Sequence, residues 1–542
     1  MKKLLICLLT VVTLGMNAQE WARELLLKPE LTAYEETSTY EDVMKFLKEV
    51  QKGSPYVTQL SLGTSKEGKD IPALVLAEPK ISTPEEAKAS GKPVIYVQGN
   101  IHAGEVEGKE VVQMLMRDIL VGEKSYLMQN QIIIFVPIYN TDSNDMMEEG
   151  RRPSQEDSPK KVGIRANSQG WDLNRDGIKM EALETQGLIK NIIVPWDPTL
   201  FVDLHTTNGT WHGYSLTWAP SYHYAGEKAP YDFTWDKLLP EVTTKVKDKF
   251  DVHLGPYGYY YLRQFGWPIK SISTYNHHPR YLVNQFGLRN RMAILSEAFA
   301  HERFYQRINS TYAFVSEILE FTHVHGKEMM EINAQAEADA ISLVKSSGGK
   351  ARKGVRFKKA PLPKPIEKYR SYNYSSYVDD KGQTRYLRKP EIVELDGVMN
   401  YSAFEATKTA IVPKGYIIPV ELEDIIQHLK DHGVQMTKLE ADVKASGEVY
   451  LTKKLNKASR QFEKHYMVEI EGQFESVNRK FKAGEAYMID LAQPLANLIF
   501  YMLEPESDDG LVNWNFFDGY FRDKKLSNRE VEYPIFKYFE LK

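Results

Sequence analysis

The chain is almost without cysteine. Its 542 residues hold one, Cys7, inside an apolar N-terminal stretch. Downstream of it, disulfide scaffolds, thiol nucleophiles and cysteine-ligated metal sites are excluded. Charge of one sign is also scarce. A net charge of −4 is small for this length, so the electrostatic footprint of a nucleic-acid binder is missing and no nucleic-acid partner is expected. Past the first twenty positions no apolar run approaches the roughly 20 residues that span a bilayer, and no transmembrane segment is expected in the mature form. Internal repeats are absent, and so is the His-Glu-x-x-His helix of many metal-dependent hydrolases.

What is present begins at the N-terminus. "MKKLLICLLTVVTLGMNAQE" sets Lys2 and Lys3 before an apolar stretch from Leu4 to Met16, with a small-residue end at Ala18. This reads as a secretory signal peptide over residues 1–19, and it predicts an exported bacterial protein, periplasmic or secreted. Processing as a lipoprotein at Cys7 would leave almost no apolar region ahead of the cut. A mature chain without disulfides must draw its stability from a large core.

The length exceeds what one core organises, so two domains are expected. Helical spacing at Val43, Phe46, Leu47 and Val50 is followed by short β-type runs at 71–78, 93–98, 131–138, 200–205 and 291–296. Several of these are apolar almost throughout, as strands buried on both faces are. Helical patterns separate them, the clearest at 107–120, and a long one covers 302–345. The alternation predicts an α/β domain over residues 20–347, with a mixed, mostly parallel sheet flanked by helices. The tract 348–370, rich in Gly, Pro, Lys and Arg and without periodicity, reads as a linker. Residues 371–542 read as an accessory α+β or β-rich domain. In it Asp508 and Asp509, beside Gly510, suggest a surface turn rather than a cation loop.

Three of the strand patterns end in groups that bind metals or move protons. "PVIYVQ" leads to His102 and Glu105 in "NIHAGE", "LFVDLHTT" delivers His205, and "RMAILSEAF" delivers Glu297. In open α/β sheets ligands bind beyond the carboxyl ends of the strands. Catalytic zinc takes three protein ligands and keeps one position open, and two imidazoles with one carboxylate is a known set. His102, Glu105 and His205 meet it for one ion, with Gly104 expected to let the backbone turn sharply between the first two. Glu297 is then left as a general base. In "GWDLNRDG", Asn174 and Arg175 form a carboxylate-recognition pair, since Arg presents a planar fork that matches a carboxylate with two hydrogen bonds.

Taken in order, "HAGE", "DLNRD", "DLHTT" and "LSEAF" resemble the zinc carboxypeptidases of the carboxypeptidase A-like type, the funnelins, over roughly residues 35–320. The resemblance implies zinc on His102, Glu105 and His205, Glu297 as general base and then proton donor, and Asn174 and Arg175 on the terminal carboxylate of a peptide substrate. It implies that Asp172 orients a zinc-bound histidine. It also implies an arginine that stabilises the oxyanion, here Arg165, with Arg151 and Arg152 as the other choices. A tyrosine ahead of the base is implied as well, Tyr275 by its distance from Glu297, with Tyr281 the alternative. Asp203, two residues before His205, reads as structural. Relatives that act on acylated amino acids or cell-wall peptides share these motifs, and an inactive peptide-binding relative is the non-enzymatic alternative.

Overall fold

Eight strands form the sheet that carries the site. They are β1 (Val57–Thr64), β2 (Asp70–Leu76), β3 (Val94–Gly99), β4 (Ile132–Val136), β5 (Leu200–Thr206), β6 (Leu216–Pro220), β7 (Leu254–Pro256) and β8 (Met292–Ala298), in the spatial order β1-β2-β4-β3-β5-β8-β6-β7. The four central strands β4, β3, β5 and β8 run parallel. The expected mixed, mostly parallel sheet is therefore present, with antiparallel additions at β1–β2 and at β6. The structure, a computed structural model, describes Trp21, residues 23–526 and residues 529–542. The expected signal peptide at 1–19 lies outside the described residues.

The continuous apolar runs have a simple cause. In β3, Ile95 and Val97 enter one core layer while Val94 and Tyr96 enter the layer on the opposite face. Both faces are covered, so neither needs polar residues. One layer is closed by α1 (Tyr40–Gly53), α2 (Glu107–Leu120) and the 43-residue α4 (Phe304–Ser346). The other includes α3 (Leu282–Leu288), through Leu282, Val283 and Phe286. The start of α1 is set locally: the Thr39 hydroxyl accepts from the Asp42 amide while the Asp42 carboxylate accepts from the Thr39 amide, a capping box. Where α2 crosses β3, a side chain on Gly99 would meet the Gly108 carbonyl carbon at 2.7 Å, and one on Gly108 would meet Leu204 at 2.6 Å. These two glycines let the helix lie against the strand ends that carry the site. No described helix is long and apolar enough to cross a membrane.

The tract expected as a linker holds a strand. Residues Arg352–Ala360 form β9, antiparallel to β12 (Ala403–Ile411). Its buried residues Val355 and Ala360 stand five positions apart, because register shifts around Arg356 break the strand's alternation, so no period-two pattern marks it in the sequence. Next come β10 (Tyr369–Val378) and β11 (Thr384–Leu395), a two-stranded ribbon. The rest is an antiparallel sheet built mainly from β13 (Gly415–Pro419), β14 (Val443–Lys457), β15 (Val468–Phe481), β16 (Ala486–Asp490) and β17 (Phe536–Leu541). It packs with α5 (Glu423–Asp431) and α6 (Ala496–Leu503). Its core is continuous with the first domain, because Ile178, Leu288, Ala340 and Val344 join the same apolar cluster.

Candidate active site

His205 and Glu297 lie side by side in the sheet, directly paired in register between the parallel strands β5 and β8. His102 and Glu105 sit in the turn after β3. The left-handed residue of that turn is Asn100, with φ 66°. Gly104, expected to be the sharp turn, has a different role: a side chain there would meet the Arg152 Cγ at 2.7 Å and the Gly163 carbonyl oxygen at 2.9 Å.

Three donors converge. The Nδ1 atoms of His102 and His205 stand 3.3 Å apart, and the Glu105 carboxylate lies 3.1 Å from the first and 3.0 Å from the second. All three residues are buried. For zinc–ligand bonds of about 2.0–2.1 Å, the corners of a tetrahedron are roughly 3.3 Å apart, so the spacing fits a zinc ion bound to these atoms. The electrostatics at His205 and Glu105 agree. Burial disfavours a charged His205, yet Asp203 and Glu105 lift its pKa well above the ordinary imidazole value. Burial likewise disfavours an ionised Glu105, but His102 and Arg152 hold it well below the usual carboxylate range. Both shifts reflect the same buried negative charge, which favours a cation at this point.

The opposite nitrogens of the two rings are also held. His102 Nε2 lies 3.0 Å from the Asp172 carboxylate, and His205 Nε2 lies 2.9 Å from the Asp203 carboxylate. Asp203 is fully buried and accepts a second contact at 3.0 Å from Gln98 Nε2. Its strand position makes it look like packing. Its partner is a ring whose orientation sets the site, so the carboxylate does more than fill space. Carboxylates of this kind fix the tautomer and direction of a ligating histidine. Asp203→Ala is expected to weaken zinc affinity by about 10–100-fold, measured by competition with a chelating dye. Unchanged affinity would remove Asp203 from this role.

The cavity above the trio encloses about 280 Å³ and is lined by Arg152, Arg165, Asn174, Arg175 and Glu297 as well as the donors. Arg165 grips the Asp172 carboxylate through Nε and Nη2, at 3.0 and 2.8 Å, and its Nη1 lies 3.2 Å from His102 Nδ1. Arg152 Nη1 lies 2.8 Å from Glu105, and its Nη2 donates to the Thr206 carbonyl at 3.2 Å. Arg151 pairs with Glu148 and does not line the cavity. Asn174 uses its side-chain oxygen to accept from the Leu282 amide at 3.2 Å, leaving its NH₂ group 3.4 Å from His205 Nε2. The Arg175 guanidinium lies over the Tyr281 ring, 4.4 Å from its centre. Tyr275 and Tyr281 both reach the cavity, together with Tyr257, Val283 and Leu295. The buried Tyr275 hydroxyl has no hydrogen-bond partner, while Tyr281 backs Arg175. Burial, reinforced by Glu105, pushes the Glu297 carboxyl up to about 8 against the pull of His205, Arg152 and Arg165.

The second domain braces two segments that carry cavity residues, the one before Asn174 and the one before Tyr281. The Glu463 carboxylate accepts from the Asp172 amide at 3.0 Å, and the Lys464 ammonium lies 3.9 Å from the centre of the Trp171 ring. Asp509, fully buried, accepts from the backbone N–H and the Nε–H of Arg280, both at 2.9 Å. Asp508 accepts from the Phe357 amide at 2.9 Å and lies 3.1 Å from His277 Nε2. The expected surface turn at 508–509 is thus an anchor for the segment that carries Tyr281. Asp509→Ala strands a buried guanidinium and is expected to destabilise the fold by about 3–5 kcal/mol, seen as a fall in the urea midpoint. A midpoint equal to wild type would show that Arg280 finds other partners.

Residues 43–249 match the family model described as zinc carboxypeptidase. That span includes the three donors and Asn174–Arg175 and stops short of Glu297. Carboxypeptidase D of Rattus norvegicus is 29% identical over 174 residues, covering 31% of this chain and 12% of that protein. Carboxypeptidase 2 of Trichophyton tonsurans is 26% identical over 143 residues, covering 26% of this chain and 23% of that protein. The chain thus spans less than a quarter of the length of either curated relative. Among solved structures, a metallo-carboxypeptidase from Burkholderia cenocepacia is similar at 16% identity with a TM-score of 0.39, covering 54% of this chain and 70% of that one.

Proposed function

We propose, for a chain whose residues 43–249 match the zinc carboxypeptidase family model, that it hydrolyses the C-terminal bond of peptides. One observation carries the reading: the metal-donor trio, an unligated carboxyl at Glu297 and the Asn174–Arg175 pair line a single cavity. His102, Glu105 and His205 would hold one zinc ion. Bound there, zinc would polarise the scissile carbonyl, lower the pKa of a water and draw Glu297 back toward its ionised form.

The protein's own groups then have distinct tasks. Arg175, backed by Tyr281, holds the terminal carboxylate, and the free NH₂ group of Asn174 donates to it. Glu297 takes a proton from the attacking water on its carboxylate oxygen and returns it to the leaving nitrogen. Arg165, with its guanidinium 3.2 Å from His102 Nδ1, donates to the developing oxyanion. Arg152 is spent on Glu105 and the Thr206 carbonyl. Tyr257, Val283 and Leu295 offer the terminal side chain an apolar and aromatic wall. No carboxylate other than Glu105 and Glu297 lines the cavity, so an uncharged terminal residue fits better than Lys or Arg. Export through the segment 1–19 would set this activity in the periplasm or outside the cell.

The test is a peptide panel with varied ends, incubated with purified protein and zinc and followed by mass spectrometry. Peptides ending in free Leu or Phe are expected to lose one residue. Those ending in Lys or an amide should be poor substrates, and a zinc chelator should stop the reaction. Cleavage restricted to acylated amino acids would move the protein to the amidase branch of the same chemistry. Equal cleavage of amidated and free peptides would end the carboxypeptidase reading.

A further inference from the structure

A second cleft opens next to the catalytic cavity. It encloses about 640 Å³, and Asn208, three positions after His205, lines both. One wall comes from the first domain through Tyr259, Tyr261 and Arg263. The other comes from the β10–β11 ribbon through Tyr374, Tyr377 and Tyr386. The ribbon lies beyond the residues that match the family model.

We infer that this cleft binds the part of the peptide substrate upstream of the scissile bond, making the protein a carboxypeptidase of long rather than very short peptides. The inference rests on the carboxypeptidase reading above. The cleft is rigidly built. The Trp211 ring is covered on both faces, by the His301 ring at 3.4 Å and the Arg388 guanidinium at 3.4 Å. The Tyr260 hydroxyl donates to the Trp211 carbonyl at 2.6 Å. Around this fixed floor, large rings are left open to solvent, with Tyr261 58% and Tyr377 49% exposed. Exposed aromatic groups on a rigid base give contact area at little cost in conformational entropy.

Two features favour a peptide. Apart from one bridge between Ser371 and His212, β10 pairs only with β11. The Tyr374 amide donates to the Asn373 side chain at 2.8 Å, and beyond it, among the described residues, the outer edge of β10 pairs with no other strand and is open to an extended chain. Arg263 also has no carboxylate within ion-pair distance among the described residues, whereas Arg385 is paired with Asp379 at 2.7 Å. A polypeptide with an acidic or aromatic residue upstream answers both the rings and the free guanidinium. An oligosaccharide would stack on the rings and leave the strand edge and Arg263 unanswered.

The test is a length series sharing one C-terminal residue, from an N-acylated dipeptide to a heptapeptide, read as kcat/KM. Wild type is expected to gain about tenfold or more with length. Tyr261→Ala and Tyr386→Ala should each remove roughly two- to tenfold of that gain and leave dipeptide hydrolysis unchanged, which also reports intact folding. A flat length series, or a gain that survives in both variants, overturns the inference. So does inhibition by chitohexaose without any gain from peptide length, which would make the cleft a sugar site. Absence of cleavage at every length overturns the carboxypeptidase reading and this inference with it.

Discussion

Glu297→Gln is expected to keep its zinc and lose on the order of 10²–10⁴-fold in kcat. Glutamine fills the same volume in β8 but cannot take a proton from water or return one to the leaving nitrogen. Metal binding should survive, because the donor trio is complete without Glu297: the two Nδ1 atoms and Glu105 already stand within 3.3 Å of one another. Folding should survive too. Burial already opposes ionisation of this carboxyl, holding it up to about 8, so a neutral amide is no costlier there. The measurements are metal content, urea midpoint and kcat on a free-acid peptide. A variant with near-normal kcat would take the base role away from Glu297. Loss of zinc would instead place this residue among the ligands.

Arg175→Ala is expected to lower kcat/KM on free-acid peptides by about ten- to a few-hundred-fold. Losing a charge-assisted hydrogen bond at a half-buried site costs roughly 1.5–3 kcal/mol, more if the substrate carboxylate is left without a partner. The guanidinium lies over Tyr281, 4.4 Å from the ring centre, and its Nη1 donates to the Asn174 carbonyl at 2.8 Å. It is therefore held in place before substrate arrives, and little ordering cost is left to offset the interaction. Amidated peptides, already poor substrates, should be hurt little. The ratio of free-acid to amide rates is the decisive readout, because a fall in folded fraction lowers both rates equally. A variant that keeps the wild-type ratio would show that another group reads the chain end.

Much of the site was legible because its residues sit at strand ends. Strand patterns can be read from apolar runs, and in an open sheet the ends of parallel strands meet at one edge. His102, His205 and Glu297 could be brought together on that ground, and Glu105 follows His102 by three residues. Asp203 escaped this reasoning. Its alternation along β5 says only that it is buried, and its contact with His205 Nε2 depends on the ring's rotation. Asp508 and Asp509 escaped for another reason. Their partners, His277 and Arg280, lie more than 200 positions away, and no local pattern marks a buried ion pair between two domains.

The sequence by itself determined the alternating strands and helices of the first domain, three side chains able to hold a metal ion, the lone carboxyl beside them and the Asn–Arg pair. These follow from periodicity, ligand chemistry and short motifs, all of which are local. Only the tertiary structure decided which carboxylate holds which ring, that Tyr281 rather than Tyr275 backs Arg175, and that a basic tract holds a strand. It also decided that the second domain shares a core with the first and braces the segments that carry Asn174 and Tyr281. Side-chain rotation, strand pairing and contacts between distant segments are set by packing over the whole chain, and no stretch of residues read alone contains them.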